Sequence, residues 1–417
     1  MSHPEPATER RGLAVDQLPL LGLVLLLAVD WIGADYYVRN TTVTKLDPFV
    51  PVWAAYSWQE AVALMPWAFT GVILAAAIPL TGRMTVGDLA GRVRGPIERF
   101  FGLWVLVAVV GIVGALVAKG PYLLVAPNYL AFVMPSAFVS LTNLLLPVTL
   151  LASGVVSSRR PVLGTVLALL TTVILFATAT RVFAGVVGLF MLGRFLAGAR
   201  VGLLGWLASA GYGLLALPVP LICRNLSAHG LLPYAAAITE SVGHSGYLQS
   251  SLLAAAQNIG FTVPLLIYTA AAPNITVNDM LISLNPMPGD SAGWEQIMMS
   301  MRVHEYIPFS MLGEFASFGP WWLLICTFFW GVILRCAINS ATHAAPLVMP
   351  PLLVGQLGLS LLTMVQITQY NTRAVARVLS IIVLLALLER VIRPACRPEF
   401  WRVPGGWRTL LSREGSP

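Results

Sequence analysis

The sequence contains little charge. Asp, Glu, Lys and Arg make up only 10% of its 417 residues, whereas 57% are hydrophobic and the mean hydropathy is +0.80. Soluble globular domains carry about 25% charged residues, so that class is excluded. The alternating pattern of an outer-membrane barrel is also missing from the sequence. The composition therefore predicts an all-α, polytopic integral membrane protein.

Cysteine and histidine are scarce too. The four cysteines show no Cys-x-x-Cys spacing and support neither a disulfide framework nor a metal site. The pair His304-Glu305 is followed by Pro308 where the second histidine of a His-Glu-x-x-His zinc motif would stand. Gly-rich phosphate loops, nucleotide fingerprints and the Ser-His-Asp order are likewise lacking. The sequence thus predicts neither a metal nor a cofactor.

Long apolar runs are abundant. A helix needs roughly 20 apolar residues to cross about 30 Å of hydrocarbon, and the sequence offers about ten such segments. The predicted spans are 17–37, 62–81, 101–121, 129–156, 161–179, 182–198, 201–222, 309–334, 346–366 and 374–392.

The basic residues predict the orientation of these spans. Lys and Arg collect in short cytoplasmic loops, and most of the 25 fall on one side when the N-terminus is placed inside. Both termini are therefore predicted to be cytoplasmic. The net charge of +7 then needs no nucleic-acid partner, because a basic cytoplasmic face next to anionic membrane lipid accounts for it.

The predicted organisation is a single membrane domain over 1–417, with one large extracytoplasmic loop at 223–308. Long loops in compact proteins are usually functional or disordered, and this one is too apolar to be disordered. It includes an apolar piece, 248–272, which polar residues and Pro264 interrupt. An extra crossing there would place the basic C-terminus outside. We therefore expect re-entrant or interfacial helices in this loop.

Three arginines run against the positive-inside bias. Arg181 and Arg224 stand at the outer ends of the fifth and seventh spans, and Arg302 stands in the large loop. Each of them can instead reach the outer headgroups as an ordinary interfacial side chain. Three outer guanidinium groups favour an anionic ligand, because their forks hold phosphate oxygens bidentately and keep their charge.

Two residues of the late region are candidate general bases. Glu314 lies near the start of an apolar helix, where the helix dipole favours a carboxylate. It can act as a proton acceptor, or it can be a structural acid paired with one of the arginines. His304 can be a general base or a plain interfacial histidine.

A polar turn separates the last two predicted spans. It includes Tyr370, Asn371 and Arg373, whose hydroxyl, amide and guanidinium groups suit a glycan. Such residues are also common in turns, so an ordinary turn is the alternative to a glycan site here.

The C-terminal half of the sequence also contains a series of short motifs. It reads Asn285-Pro286-Met287-Pro288-Gly289, then Pro308-Phe309-Ser310-Met311-Leu312-Gly313-Glu314, then Phe318-Gly319 before a span. In this the sequence resembles the Wzy-type oligosaccharide repeat unit polymerases, the O-antigen polymerases of bacterial inner membranes. Arg181 and Arg224, each ending a middle span, fit the same resemblance. One departure is Arg181-Val182, where the family usually has Arg-Ser.

The resemblance implies a multi-pass enzyme of the bacterial inner membrane. Its substrate would be an undecaprenyl-pyrophosphate-linked oligosaccharide, and it would work as a metal-independent inverting glycosyltransferase at the periplasmic face. Arg181, Arg224 and Arg302 would bind the pyrophosphate, and Glu314 or His304 would deprotonate the acceptor hydroxyl. A chain-length regulator is a possible partner. Three other functions stay open, an O-antigen ligase with the same donor, a flippase or transporter of a lipid-linked or anionic substrate, and a non-catalytic membrane scaffold or sensor.

Overall fold

The structure, a computed structural model, has helices connected by turns and loops in the residues that it describes, which are 14–41, 49–80, 82–128, 131–224, 226–242, 247–271, 275–287, 289–301, 310–344 and 349–395. Two isolated β-bridges are present in these residues, and no strand is. The predicted all-α class is confirmed. The helices are α1 (Leu18–Asn40), α2 (Val50–Ala55), α3 (Trp58–Ala77), α4 (Val86–Arg99), α5 (Phe101–Lys119), α6 (Ser136–Arg159), α7 (Pro161–Ala177), α8 (Val186–Leu196), α9 (Leu203–Ala216), α10 (Val219–Arg224), α11 (Leu231–Val242), α12 (Tyr247–Gly260), α13 (Thr262–Ala270), α14 (Val277–Leu284), α15 (Gly289–Ala292), α16 (Trp294–Met301), α17 (Met311–Ala316), α18 (Pro320–Thr342), α19 (Met349–Gln369) and α20 (Thr372–Ala395).

Six helical segments among the described residues are long and apolar enough to cross a membrane, as expected of a multi-pass membrane protein. Five of them overlap predicted spans. The sixth, Leu252–Ala270, comes from the apolar piece that the sequence analysis assigned to re-entrant or interfacial helices. The six segments are Val15–Asn40, Trp58–Ala77, Phe101–Leu123, Leu141–Arg159, Leu252–Ala270 and Pro320–Thr342.

The other five predicted spans also form helices. Of these, α7, α8 and α9 have 17, 11 and 14 residues, and therefore reach about 25 Å or less. With 21 and 24 residues, α19 and α20 are long enough to span. The total of ten spans stays a prediction.

The predicted span 309–334 begins later than expected. The short helix α17 comes first, and α18 starts only at Pro320. The break has a local cause, because Gly319 adopts a φ of 110°, which an L side chain rarely allows. Pro320 then occupies the first helical position, where its missing N–H costs nothing. Glu314 therefore lies in α17 and not in the spanning helix.

The chain divides into two compact units. Unit 1 comprises residues 1–31, 43–89 and 262–417, and unit 2 comprises 32–42 and 90–261. The large loop predicted at 223–308 is thus shared, with its first part in unit 2 and its second part in unit 1. The single membrane domain stays a prediction.

Small residues let the helices of unit 1 approach closely. A Cβ atom on Gly71 of α3 would lie 2.1 Å from Thr327 Oγ1 of α18, and one on Gly331 would lie 2.6 Å from the Ala75 Cβ. Helices in lipid associate by such close packing, since burial of apolar surface gives little driving force there. In α17, which precedes α18, Gly313 packs just as closely against Thr269 of α13.

The central helix of unit 2 is α6, which packs against α5, α7 and α8. Glycines again mark the contacts. A Cβ on Gly154 would lie 2.1 Å from the carbonyl oxygen of Phe190, and one on Gly193 would lie 2.0 Å from that of Leu151. A Cβ on Gly164 of α7 would meet the backbone of Ser157 at 2.3 Å. Larger residues at these positions would force the helices apart.

The charged residues of unit 2 separate to its two ends. At one end, Arg94 donates from Nε to Glu98 at 2.9 Å, and the Arg159 guanidinium lies 3.6 Å from the same carboxylate. Arg159 also lies over the Phe101 ring, 5.3 Å from its centroid. Arg181 follows the opposite end of α7, about 25 Å away by helix length. The orientation that the basic-residue pattern predicts stays a prediction.

Candidate arginine and carboxylate sites

The turn after α7 shapes the arginine site of unit 2. Thr180 N–H donates to the Leu175 carbonyl and Ala179 N–H to the Phe176 carbonyl, the two bonds of a Schellman motif. Glycine is the usual residue at the position of Ala179, whose φ is 47°. Ala179 is 1% exposed, and its neighbours include Val219, Cys223 and Tyr234. The methyl group thus fills a buried site at the cost of backbone strain.

Arg224 binds this turn directly. Its Nε donates to the Ala179 carbonyl at 3.0 Å, across 45 residues of sequence. Ala179 precedes by two residues the 3₁₀ helix Arg181–Gly185. Arg181 and Arg224 therefore belong to the same end of unit 2, and their membership of one binding site stays a prediction.

A buried tyrosine and histidine stand beside Arg224, and the sequence analysis did not select either of them. Tyr234 is fully buried and packs edge-on against the Phe176 ring. Its hydroxyl oxygen lies 2.9 Å from His229 Nδ1, and the two groups form a hydrogen bond. Burial raises the pKa of the Tyr234 hydroxyl to about 12, and Cys223 acts in the same direction. Arg224 and a hydrogen bond from the Gly230 backbone act to lower that pKa.

The backbone around His229 is fixed. His229 and Ala126 exchange two backbone hydrogen bonds, of 2.8 and 3.1 Å, as an isolated antiparallel bridge. Gly230 follows with a φ of 102°, and a Cβ there would lie 2.7 Å from the Leu124 carbonyl oxygen. Only glycine fits this close approach, which sets His229 against the segment that follows α5. His229 is 7% exposed.

Glu314 lies in unit 1, in the first turn of α17. Ser310 begins this helix, and its hydroxyl accepts from the Gly313 N–H at 3.1 Å. The Met311 N–H donates to the Tyr370 carbonyl at 2.9 Å, which joins α17 to the turn before α20. The expected position at a helix start is confirmed for α17, although the spanning helix is a different one.

The Glu314 carboxylate faces the start of α20. Its Oε2 accepts from the Thr372 N–H at 2.9 Å and from the Thr372 hydroxyl at 2.6 Å. Thr372 is the first residue of α20, so the N-terminal end of that helix dipole acts on the carboxylate. The predicted pairing with an arginine is not found in the described residues, where threonine is the partner.

Burial controls the protonation of Glu314. The side chain is 0% exposed, and Oε1 has no hydrogen-bond partner among the described residues. Burial raises the pKa of Glu314 to about 7, while the two Thr372 hydrogen bonds act to lower it. A carboxyl group with such a pKa exchanges its proton near neutral pH, which suits a general base or acid.

The three predicted glycan residues have structural contacts. The Asn371 side chain accepts from the Ala374 N–H at 2.8 Å and thereby caps α20. Arg373 is 2% exposed, donates to the carbonyl groups of Ile282 and Met287, and lies over the Trp294 ring. Tyr370 is half exposed, with a side chain at 51%. Their binding of a glycan stays a prediction.

The described beginning of the Asn-Pro-x-Pro-Gly motif, residues 285–287, forms a turn that Arg373 holds. Asn285 Oδ1 accepts from the Met287 N–H at 3.0 Å, the bond that defines an Asx turn. Arg373 and Arg377 both donate to the Met287 carbonyl. The motif thus anchors the end of α14 on the first turn of α20, the same turn that Glu314 binds through Thr372.

Two predicted site residues, Arg302 and His304, lie outside the described residues. Within the described part of the chain, no three or more His, Cys, Asp and Glu side chains form a group that could hold a metal ion. Comparisons with models of protein families, with curated proteins and with solved structures gave no match. The geometry of the two sites and the sequence motifs are therefore the basis for a functional proposal.

Proposed function

We propose that this protein polymerises undecaprenyl-pyrophosphate-linked oligosaccharide repeat units at the periplasmic face of a bacterial inner membrane. The observation that supports this most is the hydrogen bond from Arg224 to the Ala179 carbonyl, next to Arg181. It brings Arg224, from a distant part of the sequence, to the turn that precedes Arg181 at one end of unit 2. Two guanidinium groups at a membrane surface suit a lipid diphosphate.

The proposed reaction is a direct displacement at the anomeric carbon. A hydroxyl of the non-reducing-end sugar on one lipid-linked unit attacks the anomeric carbon of another. The bond from that carbon to the diphosphate oxygen breaks, and undecaprenyl pyrophosphate leaves with the electron pair. Arg181 and Arg224, with Arg302, stabilise the negative charge that develops on the leaving group. The attack inverts the anomeric configuration.

The proton of the attacking hydroxyl needs an acceptor. Glu314 suits this role because burial brings its pKa near 7, so that an appreciable fraction is ionised at neutral pH. His304 is the other proposed base. The Asn285 turn and Arg373 support the Glu314 region, since they hold the first turn of α20 that carries Thr372.

The orientation that this function needs agrees with the charge distribution within each unit. In unit 1, the buried Arg335–Asp16 pair lies about 22 Å along α18 from Pro320, whereas Glu314 lies before the start of α18. With the C-terminal end of α18 in the cytoplasm, Glu314 lies at the outer side. Both termini then lie inside, and the ten spans form one membrane domain.

The proposal is tested with lipid-linked units from a strain that lacks this gene. Purified protein in liposomes, supplied only with those lipids, should convert them into a ladder of longer chains and release undecaprenyl pyrophosphate. A product that forms only after addition of a lipid A-core acceptor would indicate a ligase instead. Movement of intact lipid across the bilayer without elongation would indicate a flippase. Either result overturns the polymerase proposal.

A further inference from the structure

One face of the short helix α14 packs against the protein. Met280 and Ser283 are buried on this face, and the Ser283 hydroxyl donates to the Met301 sulfur of α16 at 3.2 Å. Thr276 and Asp279 form a capping box at the start of the helix, because each side chain accepts a hydrogen bond from the backbone N–H of the other residue. The helix is therefore fixed both at its start and along its buried face.

A second face of α14 is apolar and exposed. Val277, Leu281 and Leu284 follow one another at intervals of four and three residues, so they form an apolar stripe along the helix. Val277 and Leu281 are 64% and 63% exposed, and Leu284 is also exposed. Asn278 lies about 100° around the helix from Val277 and is exposed as well, so it marks a polar border of the stripe. An apolar stripe beside polar residues is typical of a helix that lies in a membrane interface.

The contacts of α14 place it beside the start of a helix that can span the membrane. Met280 belongs to a hydrophobic cluster against which Phe315 and Phe318 pack. Phe318 lies two residues before Pro320, where α18 begins. Since α18 is long and apolar enough to cross a membrane, α14 lies near the level at which the chain enters the bilayer.

Two tryptophans mark the headgroup level at the same place. Trp321 and Trp322 are both exposed in the first turn of α18. The Trp322 ring packs against the Phe318 ring, with 6.5 Å between the ring centroids. Tryptophan is enriched at the boundary between the hydrocarbon and the headgroups of a membrane. Phe318 thus connects the cluster beneath α14 to this aromatic boundary.

We infer, independently of the proposed reaction, that α14 is an interfacial helix whose apolar stripe inserts into the acyl chains of the leaflet beside the start of α18. Bilayer lipid is the occupant of the stripe, because α14 packs next to the aromatic boundary formed by Trp321 and Trp322. Insertion removes Val277, Leu281 and Leu284 from water, which stabilises this position of the helix. In the orientation proposed above, the leaflet is the outer one.

The test uses spin labels on single cysteines of the full-length protein in liposomes. The background carries Cys336→Ser and Cys396→Ser, and it keeps Cys223 and Cys326, which are buried. Collision of the label with O2, which concentrates in hydrocarbon, is compared with collision with a water-soluble nickel chelate. The ratio of the two collision rates reports whether a position faces lipid or water.

The labels are placed by Val277→Cys, Leu281→Cys and Leu284→Cys, one at a time, and by Asn278→Cys for comparison. We expect the ratio of O2 to nickel collision to be at least about fivefold higher at each stripe position than at residue 278. Each stripe position is measured separately, so the remaining positions decide the result if one variant fails to fold. Thermal unfolding of every labelled variant checks that the fold is retained.

Two further positions calibrate the ratio. Phe329→Cys is the lipid reference, because Phe329 is exposed on α18 within the apolar segment Pro320–Thr342. Glu295→Cys is the water reference, because Glu295 is a charged and exposed residue in the first turn of α16. We expect the stripe positions to resemble the lipid reference.

Three results would overturn the inference. If the stripe labels collide with both reagents as the label at residue 295 does, the stripe faces water. If they are shielded from both reagents, protein covers the stripe, and dipolar broadening between labels would identify that protein as a second copy of the chain. If the label at residue 278 resembles the lipid reference as closely as the stripe labels do, α14 is immersed in the hydrocarbon and does not lie at the interface.

Discussion

Arg335 and Asp16 form a buried ion pair, with Arg335 NH2 2.7 Å from Asp16 Oδ2 across 319 residues of sequence. Both side chains are 1% exposed. The same guanidinium also donates to the carbonyl groups of Ala75, Ala76 and Ile78, at the C-terminal end of α3. One arginine thus joins the segment before α1, the end of α3 and the interior of α18. Such carbonyl groups have no partner within their own helix.

Removal of this arginine should be costly for unit 1. Arg335→Ala removes the closer partner of the buried Asp16, leaving only Arg83 Nε at 4.0 Å, and leaves the α3 carbonyl groups unsatisfied. Breaking a buried pair in this way costs about 3–5 kcal/mol. We expect a clear fall in the thermal unfolding temperature of the detergent-solubilised protein, measured by tryptophan fluorescence. Arg39→Ala is the control, because Arg39 pairs with Asp35 at the surface and such pairs contribute about 0–1 kcal/mol.

The sequence predicted the helical class and the position of five membrane-spanning helices, because hydropathy over 20 residues is a local property. Its local pattern also placed Arg181 and Arg224 at the ends of two predicted spans. It could not predict that Arg335 binds Asp16, since this pairing depends on how distant helices pack. His229 was missed because a single histidine without a motif carries no signal until Tyr234 is placed against it. The Gly319-Pro320 pair, in contrast, was a readable local signal for the start of α18.

Ala179 offers a test of the strained turn beside the arginine site. Ala179→Gly relieves the left-handed strain, worth roughly 1–2 kcal/mol, and removes a buried methyl group worth about 1 kcal/mol. The two effects nearly cancel, so the unfolding temperature should change little. Ala179→Val adds a branched side chain at φ 47° in a closed cluster and should destabilise by more than about 2 kcal/mol.

If Ala179→Val is as stable as wild type, the turn geometry described here is wrong. The rate at which each variant consumes the lipid-linked donor substrate is a second measurement. We expect Ala179→Gly to retain most of the activity, since the backbone carbonyl that accepts from Arg224 is still present.

Glu314 gives opposite pH dependences for stability and activity. Its pKa is raised from 4.5 to about 7 in the folded protein. The folded state therefore holds this proton more tightly, and the stability it contributes is fully present below about pH 4.5 and is lost as pH rises through 7. A general base must be ionised, so kcat/KM should increase with pH up to about 7 and then level off.

The variant Glu314→Gln separates catalysis from structure. The amide oxygen can still accept from Thr372, so the fold should be retained, while elongation should fall at least about 100-fold. The pH dependence of stability near 7 should disappear as well. Glu389→Gln is a suitable control, because Glu389 bonds to Ser340 at the other end of α18 and should leave elongation unchanged. If Glu314→Gln is active and its pH profile is unaltered, Glu314 is a structural residue and not the general base.

We expect Arg373 to have a structural role, whether or not it also binds a glycan. Arg373→Gln removes the donors to the Ile282 and Met287 carbonyl groups and the contact with Trp294. We expect faster proteolysis between residues 277 and 301, measured by mass spectrometry of limited digests. Arg377→Gln, which removes only one longer bond to Met287, is the comparison. Unchanged proteolysis in Arg373→Gln would show that the turn is held by other contacts.

Arg224→Lys is the sharpest single test of the diphosphate site. Lysine keeps the positive charge but has one nitrogen, so it cannot bind the Ala179 carbonyl and two phosphate oxygens at once. We expect elongation to fall by about 100-fold and the ladder to shorten, because lost charge-assisted hydrogen bonds cost roughly 1.5–3 kcal/mol each. Arg159→Lys is the matched control, since Arg159 lies at the opposite end of unit 2, beside Glu98 and Phe101. Equal activity of Arg224→Lys and Arg159→Lys would mean that bidentate binding at Arg224 has no part in the reaction.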